Sequence, residues 1–432
     1  MASSSPTIPV GYKQTEVGVI PEDWHLRSLG ELAIMSKASV VPRTQPHCLF
    51  THYSIPAFDD RGEPEIVKGS TIHSSKFIVP NNAVLISKLN PRMPRIWNPK
   101  TVNANAICST EFVVLSPVVV VERDFLELLC KSEYCYKVMK LHATGTTGSH
   151  QRISPTEVMK IKVPFTANVV EQRSIVNAIS DCSKLEQSIG KMLMKKRDIK
   201  QGTMQELLTG KTRLPGFSDE WENATLKDLV DLIPSGIYGV ETNTDNLIEM
   251  RVATTAHISM SDKWNNKKMN NRFFTNQQVH DYSPKLGDLV VVKSSGSAAS
   301  IQSGKMAFVD SDTVGKFIFS NFLMLLRPIG CDTKYLFYQL TSSRVKMMIP
   351  FLVESSTYPN IRIEDYMDIE VPLPNNNEQE AIAEILSDMD AEIAALEQRL
   401  EKTKAIKQGM MQQLLNGRIR LVDPSTPVEA SA

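Results

Sequence analysis

The chain has no surplus of either charge: 48 Lys and Arg stand against 48 Asp and Glu in 432 residues. A protein that holds nucleic acid by itself normally carries a basic excess, because phosphate neutralisation supplies most non-specific affinity. Any such ligand must therefore be met locally or with a partner. Cysteine is scarce, with six residues (48, 108, 130, 135, 182 and 331) and neither a CxxC pair nor a zinc spacing. That composition points to reduced thiols in a reducing compartment, not to a disulfide framework or a metal ribbon. Long apolar runs are missing too. The most apolar stretch, 112–121, is broken by Ser116 and Pro117 and falls short of the roughly 20 residues that span a bilayer. The opening MASSSPTIPV lacks the basic region and apolar core of a secretory signal. A cytoplasmic protein with no membrane partner is expected.

Catalytic signatures are absent as well. The tempting Leu208-Thr-Gly-Lys-Thr212 has Gln205 where a phosphate-binding loop needs glycine, and it closes a helical pattern where a strand should precede it. No Asn-Pro-Pro-Tyr or Asp-Pro-Pro-Tyr occurs, and His47 and His52 have no second cluster of metal ligands near them. No catalytic or metal site is expected, and the chain is read as a non-enzyme.

What the chain does have is a duplication. Residues 171–214 align with 378–421 without a gap at a constant offset of 207, and 18 of the 44 positions are identical. The two segments read as helices. Ile382, Leu386, Met389, Ile393, Leu396 and Leu400 recur at steps of 4, 3, 4, 3 and 4, the spacing of a coiled-coil seam. Ile175, Ile179, Cys182, Ile189 and Leu193 keep the same register in the first copy, with Glu186 interrupting it. Gly210 and Gly417 stand where helix C-caps belong. A helix over 171–209 would run roughly 58 Å, longer than a head of this size needs for its own core. The two helices are expected to pair.

Weaker echoes precede each copy. Trp24, Leu29 and Leu32 match Trp221, Leu226 and Leu229; strand 83–88 matches 288–293 and strand 109–117 matches 320–328. Residues 125–141 and 335–349 read as amphipathic helices. Polar loops follow, aligned on Arg152-Ile153 and Arg362-Ile363, and Val-Pro closes each head at 163–164 and 371–372. The expected organisation is a tail over 1–16, a head over 17–167, a helix over 168–211, a head over 212–374, a helix over 375–421 and a disordered tail over 422–432. The expected fold class is α+β: two globular heads joined by two long antiparallel helices, related by a pseudo-two-fold. The sequence is circular in character, since Gly417-Arg-Ile-Arg-Leu would run on into Glu16-Val-Gly-Val-Ile-Pro if the ends were joined.

The PEDW opening at 21–24, the IKVPF and IEVPLP segments before each Glu-Gln, and the duplicated KQGxMQxLLxG helix ends resemble the specificity subunit of type I DNA restriction–modification systems. ISKLNPRMPRIWNP and GTTGSHQRIS are similar to that family's first recognition domain. The resemblance covers nearly the whole chain. It implies a non-catalytic subunit in which each of two target-recognition domains reads half of a split DNA site. The paired helices would set the gap and dock two adenine methyltransferase (modification) subunits, which restriction/motor subunits join. It implies no cofactor in this chain, with S-adenosylmethionine, ATP and magnesium held by those partners. The reading from a different class is a non-catalytic, two-headed coiled-coil protein adapter.

Double-stranded DNA would be met by loops of the heads. Residues 34–170 hold 16 Lys and Arg against 10 Asp and Glu, while 234–374 hold 14 of each, so the second head must rely on placement. In the first head Lys88, Arg92 and Arg95 lie in a proline-stiffened loop after a strand, suited to phosphate clamping and to guanine. Thr146, Ser149, Gln151 and Arg152 form a second polar loop. The matching positions of the second head are Lys293, Ser294 and Ser295, then Tyr358, Asn360 and Arg362. Lys263, Lys267, Lys268 and Arg272, interleaved with Trp264, Phe273 and Phe274, suggest a further face. Lys195, Lys196, Arg197 and Lys200 read as a solvated or partner-facing helix surface.

Overall fold

A computed structural model describes residues 8–145, 151–243, 246–265, 267–297, 300–354 and 359–423. It divides into two compact units, Met1–Gly190 with Arg399–Ala432, and Lys191–Gln398. The division falls inside the two long helices, so each unit owns one head and a segment of each helix.

Unit 1 opens with the antiparallel hairpin Tyr12–Thr15 and Gly18–Pro21. The expected tail over 1–16 is thus corrected: Tyr12–Thr15 are strand and Glu16 lies in the turn of the hairpin, held because Ile20 is buried and the Tyr12 hydroxyl donates to the Gly417 carbonyl at 3.2 Å. A four-stranded antiparallel sheet follows, in the order Ile96–Trp97, Val84–Ser87, Phe112–Pro117, Ala33–Ser36. Strand Val84–Ser87 is buried at every position because its alternate residues serve two cores. Val84 and Ile86 join Leu29, Phe125, Leu129 and Ile175, while Ala83 and Leu85 join Tyr53, Trp97 and Cys108. The second core is backed by a five-stranded sheet in which only Ala106–Ser109 and Leu49–Tyr53 pair in parallel.

Unit 2 repeats the plan. Its four-stranded sheet runs Met306–Phe308, Leu289–Val292, Leu323–Pro328, Val230–Ile233, and Leu289 and Val291 serve one core while Val290 and Val292 serve another. In each unit a short strand before the long helix closes on one near the Trp: Lys162–Phe165 with His25–Ser28, and Glu370–Leu373 with Glu222–Thr225.

The helices expected at 125–141 and 335–349 are each broken once. Arg123–Lys131 ends at Ser132 and Glu133–Leu141 begins there; Thr333–Thr341 and Ser343–Met348 flank Ser342 in the same way. Each serine has extended backbone, and its hydroxyl accepts from the amide three residues on, Cys135 or Val345. Serine competes with the helix for backbone groups and favours the N-cap, so one amphipathic pattern becomes two helices.

The long helices are Val169–Leu207 and Asn376–Leu414, 39 residues each. Asn168 and Asn375 cap them through their side-chain oxygens, accepting from the Glu171 and Glu378 amides at 3.2 and 3.0 Å. Gly210 and Gly417 end them at φ of 67°. A side chain there would meet both the left-handed penalty and the ring of Trp221 or Trp24, so glycine is required. Within unit 1 the helix segments run antiparallel, Cys182 against Met410 and Glu186 against Lys407 at 3.0 Å. Within unit 2 they do so again, Lys200 with Asp390 and Lys196 with Glu392. Of the seam residues, Ile175, Ile179, Ile189, Leu193, Ile382, Leu386 and Ile393 are buried, and Met389, Leu396 and Leu400 are half-buried.

Each long helix is pinned to its head by its opening Glu-Gln. In unit 1 Glu171 is 0 % exposed; it accepts from the Trp24 indole at 3.2 Å and is clasped by the guanidinium of Arg420, which also forks onto Asp23 at 2.9 Å. In unit 2 Glu378 accepts from Trp221 at 3.1 Å and from Arg213 twice at 2.7 Å. Gln172 and Gln379 each accept from the amide at the head of a helix, Glu122 or Asp332, at 2.8 Å. The unit 1 pin joins residues from both ends of the chain, the circular organisation expected. Of the tail expected over 422–432, residues 424–432 lie outside those described.

Candidate nucleic-acid interface

Two loops expected to read DNA, about 60 residues apart in sequence, are zipped together in unit 1. Lys88 follows strand Val84–Ser87 directly; its amide donates to the Glu111 carbonyl at 2.8 Å and its carbonyl accepts from Ile153 at 3.1 Å. Leu89 bridges Arg152, and the Asn90 amide donates to the Gln151 carbonyl at 2.7 Å. Lys88 and Gln151 are half-buried, and Arg92 is exposed, with its carbonyl taking the Tyr136 hydroxyl at 2.9 Å. Thr146 and Ser149 lie outside the described residues.

Arg95 is a correction. It is 8 % exposed and its guanidinium forks onto Asp59 at 2.7 and 2.8 Å. A buried arginine needs a paired carboxylate, so this side chain holds the loop to helix Ile55–Asp60 and is not free to meet DNA.

Unit 2 builds the same edge. The Lys293 amide donates to the Phe322 carbonyl at 3.0 Å, its carbonyl accepts from Ile361 at 2.9 Å, and Ser294 bridges Asn360. Burial pushes the Lys293 ammonium below its usual pKa. Ser295 donates its amide to Ser303, which in turn donates to the Pro359 carbonyl at 2.6 Å. Tyr358 lies outside the described residues.

These hydrogen bonds correct the alignment of the second loops. Arg152 corresponds to Asn360 and Ile153 to Ile361, two residues away from the match of Arg152-Ile153 to Arg362-Ile363. Backbone pairing and burial decide it, since Ile153 and Ile361 are both 1 % exposed. Arg362 instead opens helix Ile363–Met367, donating to the Phe351 carbonyl at 2.8 Å and pairing with Asp365 at 2.9 Å.

The further face expected around 263–274 is not an aromatic surface. Phe274 is fully buried; Trp264 donates to the Phe308 carbonyl at 2.8 Å and packs edge-on against Phe317. Arg272 pairs with Glu241 and lies over the Tyr238 ring at 4.9 Å. On the first long helix Lys196, Arg197 and Lys200, expected to face solvent or a partner, instead pair with Glu392, Glu397 and Asp390 of the second long helix.

His52 is half-buried on strand Leu49–Tyr53, and burial with the nearby Lys76 ammonium takes its pKa down to about 4. The unfolded imidazole takes its proton near pH 6.5. Below that pH the unfolded chain binds more protons, so stability falls as pH drops from 6.5 to about 4 and then levels. The full shift corresponds to about 3 kcal/mol, which solvent screening of this partly exposed ring cuts to on the order of 2 kcal/mol, and His52→Gln should flatten the loss in urea melts across this window.

Glu111, Phe322 and the Glu-Gln pins were not singled out as functional from sequence. The duplicated Glu-Gln was visible, but its Trp and Arg partners lie far along the chain. Among the described residues no cluster of three or more His, Cys, Asp or Glu could hold a metal ion, and no helix is long and apolar enough to cross a membrane.

Residues 218–407 match the family described as Type I restriction modification DNA specificity domain. The chain is 24 % identical over 430 residues to the type I restriction enzyme MjaVIII specificity subunit of Methanocaldococcus jannaschii, covering 93 % of this chain and 94 % of that one. A putative type I specificity subunit of Mycoplasma genitalium is 36 % identical over 86 residues, 20 % of this chain and 22 % of that one. Among solved structures, one titled for complex assembly and conformational transition of the type I R-M system matches at a TM-score of 0.57 and 18 % identity, covering 93 % of this chain and 99 % of that one. A type I restriction-modification S subunit from M. genitalium matches at 0.54 and 13 %, covering 91 % and 96 %. At these identities the structures bear on the fold.

Proposed function

The chain belongs to the DNA specificity subunits of type I restriction–modification systems, and from that premise we propose that each head reads one half of a split site in double-stranded DNA. One observation carries the proposal. The same composite edge, a strand-ending lysine zipped to a return loop, is built twice from different side chains. A shared scaffold with divergent contacts is what two different half-sites require. Family membership sets aside the protein-adapter reading.

The long helices set the gap between half-sites and offer the surface on which two adenine methyltransferase subunits dock, with motor-nuclease subunits joining them. This chain contributes recognition and no covalent step; S-adenosylmethionine, ATP and magnesium act in the partners, in the cytoplasm where the DNA lies. Zero net charge makes the isolated chain a poor DNA binder, and affinity arises in the complex.

Exchange of one head for that of another specificity subunit tests this. The methylated motif should change in one half-site alone, and lengthening both long helices should change only the gap. A head exchange that altered both half-sites would defeat the modular reading.

A further inference from the structure

Arg152 is fixed in both main chain and side chain. Its amide donates to the Thr144 carbonyl and its carbonyl accepts from the Thr144 amide, each at 2.9 Å, and on its other side it bridges Leu89. Its guanidinium is gripped edge-on by Glu111, Nε to one carboxylate oxygen at 3.1 Å and Nη2 to the other at 3.3 Å. Glu111 is fixed in turn, because its carbonyl accepts from the Lys88 amide at 2.8 Å. The Arg152 side chain nonetheless remains 50 % exposed. This differs from Arg95, whose similar fork onto Asp59 is buried.

The geometry leaves a particular set of donors. Guanidinium has five N–H groups, and the grip on Glu111 takes Nε–H and one hydrogen of Nη2. The end-on fork, made of Nη1 and the second Nη2 hydrogen, stays open; no hydrogen bond from Nη1 is made to the described residues. That fork matches two adjacent acceptors, and in the major groove guanine presents such a pair at O6 and N7. A carboxylate that fixes the edge of an arginine also removes rotamer freedom that binding would otherwise have to freeze.

We propose that Arg152, aimed by Glu111, reads a guanine in the half-site taken by unit 1. This rests on the DNA-recognition reading above and deepens it by naming the reader and the base. Glu111 is a positioning residue that acts through Arg152. The device belongs to unit 1: the equivalent of Arg152 is Asn360, and the residue in the place of Glu111 is Phe322. Loss of Arg152 must therefore act on one half-site.

The test uses the full chain in complex with the methyltransferase subunits of the proposed assembly, on duplexes carrying the methylated site. Each guanine in turn is replaced by 7-deazaguanine, which lacks the N7 acceptor. One replacement, in one half-site, should weaken binding by the wild-type complex roughly 10-fold, within the range of a good bidentate contact. Arg152→Ala should lose roughly 10- to 100-fold discrimination at that base pair and become insensitive to the replacement. Arg152→Lys keeps the charge but lacks the fork and should behave likewise, which covers a failure of the alanine variant to assemble. Glu111→Gln should shrink the penalty at the same position and leave every other position unchanged. Penalties that persist in the Arg152 variants, or a wild-type complex indifferent to every replacement, would overturn the assignment. A wild-type complex that methylates no split motif would instead overturn the functional reading beneath it.

Discussion

Replacing Glu171 with alanine should destabilise unit 1 by about 3 kcal/mol, at the low end of what breaking a buried ion pair costs. Glu171 is fully buried and Arg420, which clasps it, has a side chain only 14 % exposed. Removal strands a guanidinium and leaves the Trp24 indole without its acceptor. Asp23 still holds one edge of Arg420, which is why the loss stays below the upper end of the range. Arg420→Ala should cost at least as much, because it leaves a carboxylate buried beside an indole. The two losses should not add: the double variant buries no unpaired charge, and its cost should fall short of the sum by more than 1 kcal/mol. Urea melts followed by tryptophan fluorescence check this, with hydrogen exchange locating the change at the start of the first long helix and at residues 12–24. Additive losses would mean that the pin is not a coupled unit.

Leu386→Ala should cost unit 2 about 3 kcal/mol, whereas Lys196→Ala or Glu392→Ala should each cost less than about 0.5 kcal/mol. Leu386 is 0 % exposed and packs with Leu207, Leu208, Tyr338 and Ile382. Its removal gives up transfer free energy and leaves a cavity, about 2–5 kcal/mol for Leu→Ala. The Lys196 and Glu392 side chains are 43 % and 56 % exposed, where Coulomb attraction is screened and side-chain entropy offsets it. Helix pairing in this unit is thus an apolar seam decorated by ion pairs. A reversed order of these losses in the same melts would show that charge holds the helices.

How much of this was legible varies with the distance over which a contact acts. The duplication, the long helices and their glycine ends follow from local pattern, and the structure places Asn168, Asn375, Gly210 and Gly417 as caps. Breaks at Ser132 and Ser342 were missed because apolar spacing continues through them while a single hydroxyl redirects the backbone. Arg95 read as a free loop cation because its carboxylate partner, Asp59, lies 36 residues away. Arg152 was matched to Arg362 by chemical likeness, whereas backbone pairing matches it to Asn360. Like residues in a diverged repeat are a poorer guide than the hydrogen bonds that fix where each residue stands. Base contacts lie one step further off, since they depend on which donors remain once the fold has used the rest.

The most direct measurement of the central claim is an adenine-methylation map. The chain would be co-expressed with the methyltransferase subunit that the proposed function calls for, in a host lacking adenine methylation, and the DNA read by single-molecule sequencing. Recognition by two separate heads predicts methylation within a split motif: two specified half-sites at one fixed spacing, with unspecified bases between them. A stable complex that methylates nothing, or one that methylates a single contiguous motif, would contradict it.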